Sequence, residues 1–392
     1  MKIGIDIRLV GKKRTGDEVV FFNLVKNLAR IDTEHEFELL TDITDKKLLK
    51  EISENLGIVG KNNFKIVALT PTLSQGERGK WKFLHNRFAW NFWTLPRYLR
   101  KNPVDIYLTQ YITPFFVPRS IKIATIVHDL SFNFFPQLIK FSDLLFLKIL
   151  IPLSLWRADK IIGVSQFTRD EIIKFYQTKP EKVDYIYNAI GEEFLNSNIS
   201  QAEKEAVREK YQLPENFILY LGTLQPRKNI PQLVEAFNAI KAKLGDTKLV
   251  LCGNLEAHNA DRQIEKTVKK YALEKEVVFP GFIDEQNKVV VFSLAQVFVF
   301  PSLYEGFGIP PLEAMSQNAA VLCSDIPSLR EIAGDGAVFF DLRSLDDFSE
   351  KLYAISTDNE LRSRLIRLGQ ERIGFFDWEK SANKILAIFE KM

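Results

Sequence analysis

Val297–Ser324 reads VFVFPSLYEGFGIPPLEAMSQNAAVLCS, and this stretch decides the fold class. VFVF is a short strand apolar at every position, which indicates burial on both faces and therefore a parallel sheet. A loop with Gly306 and Gly308 follows, and the pair Pro310–Pro311 then opens a helix through Leu312, Glu313, Ala314 and Met315. Proline suits the first helical positions because its missing N–H would find no partner there anyway. AVLC, from Ala320, returns as a second buried strand. Glu305 thus falls in the loop entering the helix, with Glu313 about one turn inside it. Bare amides at a helix start favour a negative group, and glycines let backbone approach a ligand. The carboxyl end of a strand is where open α/β sheets bind their ligands.

Outward from this unit, short apolar runs alternate with amphipathic segments along nearly the whole chain. The first half predicts strands at 2–9, 36–41, 64–69, 104–108, 121–127, 160–164 and 183–187. The second half predicts them at 217–222, 248–252, 276–279, 297–300, 320–323 and 337–340. Such alternation gives doubly wound α/β layers. A chain of 392 residues exceeds what one core usually supports, so two domains are expected. Periodicity fails around Asn188–Leu213, which divides the chain into 1–195, 196–374 and a last helical segment, 375–392.

Hydrophobic residues make up 46% and charged residues 26%, the balance of a globular protein without a membrane span. A net charge of +3 gives no reason to expect nucleic acid as a partner. MKIGIDIRLV reads as a strand and lacks the features of a secretory leader, so a cytoplasmic location is expected. Cys252 and Cys323 sit in strand-like runs and read as buried free thiols.

Three further places carry chemistry. GTLQPRKN, from Gly222, follows the strand FILYLG and sets Arg227 and Lys228 side by side before a helix. A guanidinium fork beside an ammonium suits a diphosphate, whereas an isolated basic pair is usually solvated. His128 directly follows the strand of 121–127, where its ring could serve a sugar hydroxyl or merely cap the loop Asp129–Asn133. Ser165 reads as a helix N-cap. Gly16 opens the first helix, where its amide could approach a ligand. No G-x-G-x-x-G follows the first strand, which argues against a nicotinamide or flavin enzyme.

With these residues in place, the chain resembles the family-four retaining glycosyltransferases, mannosyltransferase-like branch, over nearly its whole length. Glu305 to Glu313 is similar to the family's E-x-seven-E motif, and GTLQPRKN to its diphosphate loop. VHDLSFNFFP, ADKIIGVSQFTRDEI and FFDWEKSANKIL also resemble family blocks. The resemblance implies the GT-B architecture, an α/β fold of two Rossmann-like parallel-sheet domains facing a central cleft, with the last helix returning to the first domain. Glu305 would hold hydroxyls of the donor sugar and Glu313 the ribose. Arg227 and Lys228 would neutralise the diphosphate. Gly306, Phe307 and Gly308 would line sugar and phosphate, His128 would lie by the reacting carbon, and Phe279–Phe282 would run past the base. Gly16 and Leu312 complete the implied donor contacts. The chain departs from the family's T-G-I-G-R-Y loop, because Asp17 and Glu18 follow Gly16. Carboxylates there would repel a diphosphate and could instead meet acceptor hydroxyls.

The implied reaction moves a hexosyl group, first of all mannosyl from GDP-mannose, to a glycan or lipid-linked glycan with retention, and needs no metal or other cofactor. A sugar phosphorylase, a disaccharide synthase or a non-catalytic sugar-nucleotide-binding protein are the alternatives. Arg78–Lys101 carries seven Lys/Arg, no Asp/Glu and three of five tryptophans. Trp81, Leu84, Phe88, Phe92, Leu95 and Leu99 follow helical spacing, while Phe83, Trp90 and Trp93 fall outside that stripe. The second aromatic group fits a peripheral contact with anionic lipid on the inner face of the cell membrane, or else the segment is a buried helix with a solvated basic side.

Overall fold

The computed structural model describes residues 1–12, 16–69, 89–139, 141–196, 198–257 and 259–392. The chain divides into two compact units. The first comprises Met1–Phe134, Ile139–Asn188 and Asp377–Met392, and the second Phe135–Leu138 and Ala189–Phe376.

The first unit holds β1 (Lys2–Asp6), β2 (Glu36–Thr41), β3 (Phe64–Ala68), β4 (Ile106–Gln110), β5 (Lys122–Val127), β6 (Lys160–Gly163) and β7 (Val183–Tyr185). They form one parallel sheet in the order β3-β2-β1-β4-β5-β6-β7. The second unit holds β8 (Phe217–Leu221), β9 (Lys248–Cys252), β10 (Val277–Gly281), β11 (Val297–Phe300), β12 (Ala320–Ser324) and β13 (Ala337–Phe340). Their order is β10-β9-β8-β11-β12-β13, again parallel. Both sheets reverse direction once, between β1 and β4 and between β8 and β11, the hallmark of a doubly wound Rossmann-like fold.

Every strand expected from the sequence is present. β1 stops at Asp6, three residues early, because the chain turns there: Arg8 N–H donates to Asp6 Oδ1 at 3.1 Å and Val10 N–H to the Ile7 carbonyl at 3.0 Å. β11 lies fully buried and in register with β12, Val297 opposite Ala320. Around it Phe292 and Phe298 pack edge to face at 5.3 Å, and Phe340 stacks on Phe348 at 3.7 Å. Cys252 and Cys323 are free and buried, and burial pushes both thiols up.

The closing helix, Trp378–Glu390, is capped by Asp377 and packs against the helix Gly16–Ile31 in the first unit. Ser381 Oγ donates to the Tyr187 carbonyl at 2.5 Å, and Trp378, Ala382, Ile385 and Phe389 are buried.

Trp81, Phe83, Leu84 and Phe88 lie outside the described residues. Trp90 corrects the helical-wheel reading, because it is 1% exposed rather than on an aromatic surface. It packs with Leu95, Leu99 and Tyr107 in one cluster, and the Arg8 guanidinium lies 4.7 Å over its ring. Trp90–Thr94 winds as a π-helix, which shifts side chains off a period of 3.6. Trp93, by contrast, is 66% exposed.

Candidate functional site

The sheet order of the second unit sets β8 beside β11, so the loops leaving their carboxyl ends meet at its reversal point. The loop after β8 makes a single 3-10 turn, Pro226–Lys228, and Asn229 then takes a left-handed conformation before the helix Ile230–Ile240. Leu303 N–H donates to the Arg227 carbonyl at 2.8 Å, stitching the two loops together. Arg227 and Lys228 therefore converge on Glu305, which lies 77 residues after Lys228.

Lys228 is buried, and its ammonium donates to Glu305 Oε1 while lying 4.8 Å from the centre of the Phe300 ring. Arg227 Nη1 is 3.2 Å from the same Oε1 and 3.2 Å from the Tyr304 carbonyl, and its Nε donates to Gln225 Oε1 at 3.3 Å. Burial is the strongest single influence on Glu305 and opposes its charge. Lys228 and Arg227 together overcome it, with help from the Ser302 hydroxyl, and hold the carboxyl down to about 2. The result is a water-poor carboxylate flanked by two fixed cations, a charge balance that an arriving dianion would change.

Gly308 precedes the helix Ile309–Ser316 with φ +94°, and a Cβ there would sit 2.6 Å from Leu329 Cδ2. Both conformation and space demand glycine. Gly306 and Phe307 are buried beside it, Phe307 edge-on to Phe376 at 5.6 Å. Leu312 points into the core at 1% exposure, so what it can offer a ligand is its backbone. Glu313 is half-buried on the same helix. Phe282 is 63% exposed just after β10, with β9 lying between that strand and β8.

In the first unit His128 follows β5, next to the end of β4. Its Nε2–H reaches Gln110 Oε1 at 2.8 Å, and its Nδ1 is 3.7 Å from Asp17 Oδ1. Tyr111, at φ +52°, sets its ring 5.5 Å from the imidazole, and its hydroxyl accepts from Asp129 N–H at 3.1 Å. His128 is thus held by its neighbours. Ser165 does cap its helix, accepting from Thr168 N–H at 3.0 Å. Gly16 is exposed, and a Cβ there would meet nothing within 4 Å. Glu18 serves the fold, because its Oε1 accepts the Gly11 amide at 2.8 Å.

Sequence reasoning missed Gln110, Tyr111 and the Asp6–Arg8 fork, in which Arg8 Nε and Nη2 bond the Asp6 carboxylate at 2.9 and 2.7 Å. The available signal was position, since each sits at or just beyond the carboxyl end of a strand.

Residues 14–194 match Glycosyltransferase Family 4, and residues 203–372 match Glycosyl transferases group 1. The serotype-specific mannosyltransferase WbdA of Escherichia coli is 32% identical over 238 residues, 60% of this chain and 29% of WbdA. The chain therefore spans under a third of the length of that relative. The O-antigen chain mannosyltransferase RfbU of Salmonella typhimurium is 25% identical over 342 residues, 86% of this chain and 85% of RfbU. In fold the chain is similar to Anabaena HepE in complex with UDP-glucose, with TM-score 0.73, 15% identity and 100% of both chains covered. With its two Rossmann-like sheets, this chain belongs to the glycosyltransferases of GT-B fold, a Glycosyltransferase Family 4 domain followed by a group 1 domain.

Proposed function

We propose that the protein is a retaining glycosyltransferase that moves a mannosyl group from GDP-mannose to a glycan or lipid-linked glycan on the cytoplasmic side of the membrane. The observation that carries this reading is the convergence of Arg227 and Lys228 on buried Glu305 at the reversal point of the second sheet. A nucleoside diphosphate sugar brings to such a place a dianion that needs cations and a sugar whose hydroxyls need an acceptor. The UDP-glucose held by HepE supports the donor class, and the names of WbdA and RfbU support mannose.

In this reading the bond between the anomeric carbon and the diphosphate oxygen breaks while one to the acceptor oxygen forms. The departing phosphate oxygen takes the acceptor proton from the same face, which preserves configuration without a side-chain nucleophile. Arg227, Lys228 and the amides around Gly308 answer the charge growing on the diphosphate, an electrostatic preorganisation needing no divalent metal. Glu305 holds donor hydroxyls and fixes both cations, and Glu313 takes the ribose.

Thermal-shift screening with GDP-mannose, UDP-glucose and UDP-N-acetylglucosamine tests the donor, because a ligand that binds only the folded form raises apparent stability. GDP-mannose is expected to give the largest rise, unaffected by a chelator. A flat response to all three would refute the reading. Product stereochemistry by NMR decides retention.

A further inference from the structure

The loop that carries Glu305 is tied down on the side of its cations. Leu303 N–H donates to the Arg227 carbonyl at 2.8 Å, the Tyr304 carbonyl accepts from Arg227 Nη1 at 3.2 Å, and the Ser302 carbonyl accepts from Ser324 Oγ at 2.5 Å. The Tyr304 ring also meets Phe135 edge to face at 6.2 Å. Both cations reach the same carboxylate oxygen, Oε1. Exposures of 7% at Lys228 and 8% at Glu305 leave little solvent to screen these charges.

A ligand arriving at Arg227 and Lys228 therefore meets a fixed anion as well as two cations. Ionised phosphate oxygens only accept hydrogen bonds, and so does a carboxylate. A phosphate that shares the cations takes donors from Glu305 and returns none. A buried acceptor left short of partners is costly. A sugar on that phosphate changes the balance, because its hydroxyls donate to the carboxylate.

Charge points the same way. The terminal phosphate of a bare nucleoside diphosphate carries about 1.5–2 negative charges at neutral pH, whereas esterification to a sugar holds it at about one. That extra charge falls beside Glu305. Tyr220 in β8 adds none: burial and the Glu305 carboxylate push its phenol well up, and its hydroxyl donates to the Thr223 carbonyl at 2.7 Å.

We propose that Glu305 discriminates against the spent nucleotide: the site holds a nucleoside diphosphate firmly only while a sugar satisfies the carboxylate, so transfer of the sugar itself triggers release. The proposal deepens the transferase reading and rests on it for the class of ligand. It gives Glu305 a second task besides holding the sugar, one in which the residue opposes binding.

The test is isothermal titration calorimetry of wild type and Glu305→Gln at neutral pH. The ligands are GDP-mannose, GDP, and GDP methylated on its terminal phosphate, which has the charge of the donor without its hydroxyls. Wild type is expected to bind GDP-mannose most tightly, the methyl ester less well and GDP least. Glu305→Gln should bind GDP at least about tenfold more tightly than wild type does, the ordinary scale of coupling between two groups. Its preference for GDP-mannose over GDP should shrink or reverse. Wild type that binds GDP as tightly as GDP-mannose, or a variant that binds GDP no better than wild type, would overturn the proposal. So would a methyl ester that matches GDP-mannose. The wild-type ranking decides alone if Glu305→Gln does not fold. Any of these results with GDP-mannose still bound leaves the transferase reading standing. No binding of any of the three ligands refutes that reading and the proposal with it.

Discussion

Replacing Lys228 with methionine keeps the length of the side chain and removes its charge, which isolates the electrostatic role of the ammonium at Glu305. In the native site burial alone would push the Glu305 carboxyl above its ordinary 4.5, yet the two cations bring it to about 2. That fall is equivalent to roughly 3 kcal/mol favouring the folded, ionised form at neutral pH. The sign follows from linkage. A carboxyl with a depressed folded-state value contributes stability that is complete above about 4.5 and disappears as pH drops toward 2. Without Lys228, Arg227 at 3.2 Å is the one cation left to oppose burial, with the Ser302 hydroxyl beside it. Breaking a buried pair typically costs about 3–5 kcal/mol. Lys228→Met is therefore expected to destabilise the second unit by about 3 kcal/mol at pH 7. Urea unfolding of wild type and variant, followed from pH 7 down to pH 3, checks the value and its origin. The gap should shrink by roughly half at pH 3, where wild type has lost much of the same contribution. Adding Glu305→Gln should return most of the loss at pH 7. A gap that stays constant with pH, or a double variant no more stable than Lys228→Met, would show that packing of the lysine stem and not charge explains the effect.

Arg227→Ala is expected to lower turnover about 10²–10³-fold, the usual consequence of removing one preorganised donor, and to destabilise less than Lys228→Met, because Lys228 stays on Glu305; a coupled assay for released nucleoside diphosphate measures the first. Gly308→Ala should destabilise by about 1–3 kcal/mol in calorimetry, through both positive φ and the contact with Leu329, and Leu329→Ala in the same chain should relieve only the steric part. Ser200→Ala, which removes the capping box of the helix Gln201–Lys210, should cost about 1 kcal/mol in the same measurement and leave donor binding unchanged.

The sheets were legible because period and composition agree at every strand. VFVF and IKIATIV can be little else than strands buried on two faces, and the helices between them dictate parallel pairing. The meeting of Arg227, Lys228 and Glu305 was half legible. Each sits beyond a strand end in the sequence, but only the order β8-β11 brings together loops 77 residues apart. That they form an ion-paired trio, rather than a separate cationic hook and sugar-binding acid, depends on side-chain packing that no spacing encodes. Trp90 was misread for a local reason: five residues of π-winding break the rule that turns spacing into facing. Gln110 was missed because a glutamine at the end of IYLTQ carries no pattern until β5 is laid beside β4 and His128 comes within reach.

The helix Trp378–Glu390 completes the first unit, although about 190 residues, Ala189–Phe376, separate it from the rest of that unit. On a translating ribosome at about 5–20 residues per second, the first unit waits roughly 10–40 s for its last piece. During that interval, while the second unit is still being made, the side of Gly16–Ile31 that meets the closing helix stands open. The nascent chain thus matures back to front, its beginning sealed by its end. A frameshift late in translation would leave the first unit without its closing helix and with an apolar side open, an obvious client for chaperones.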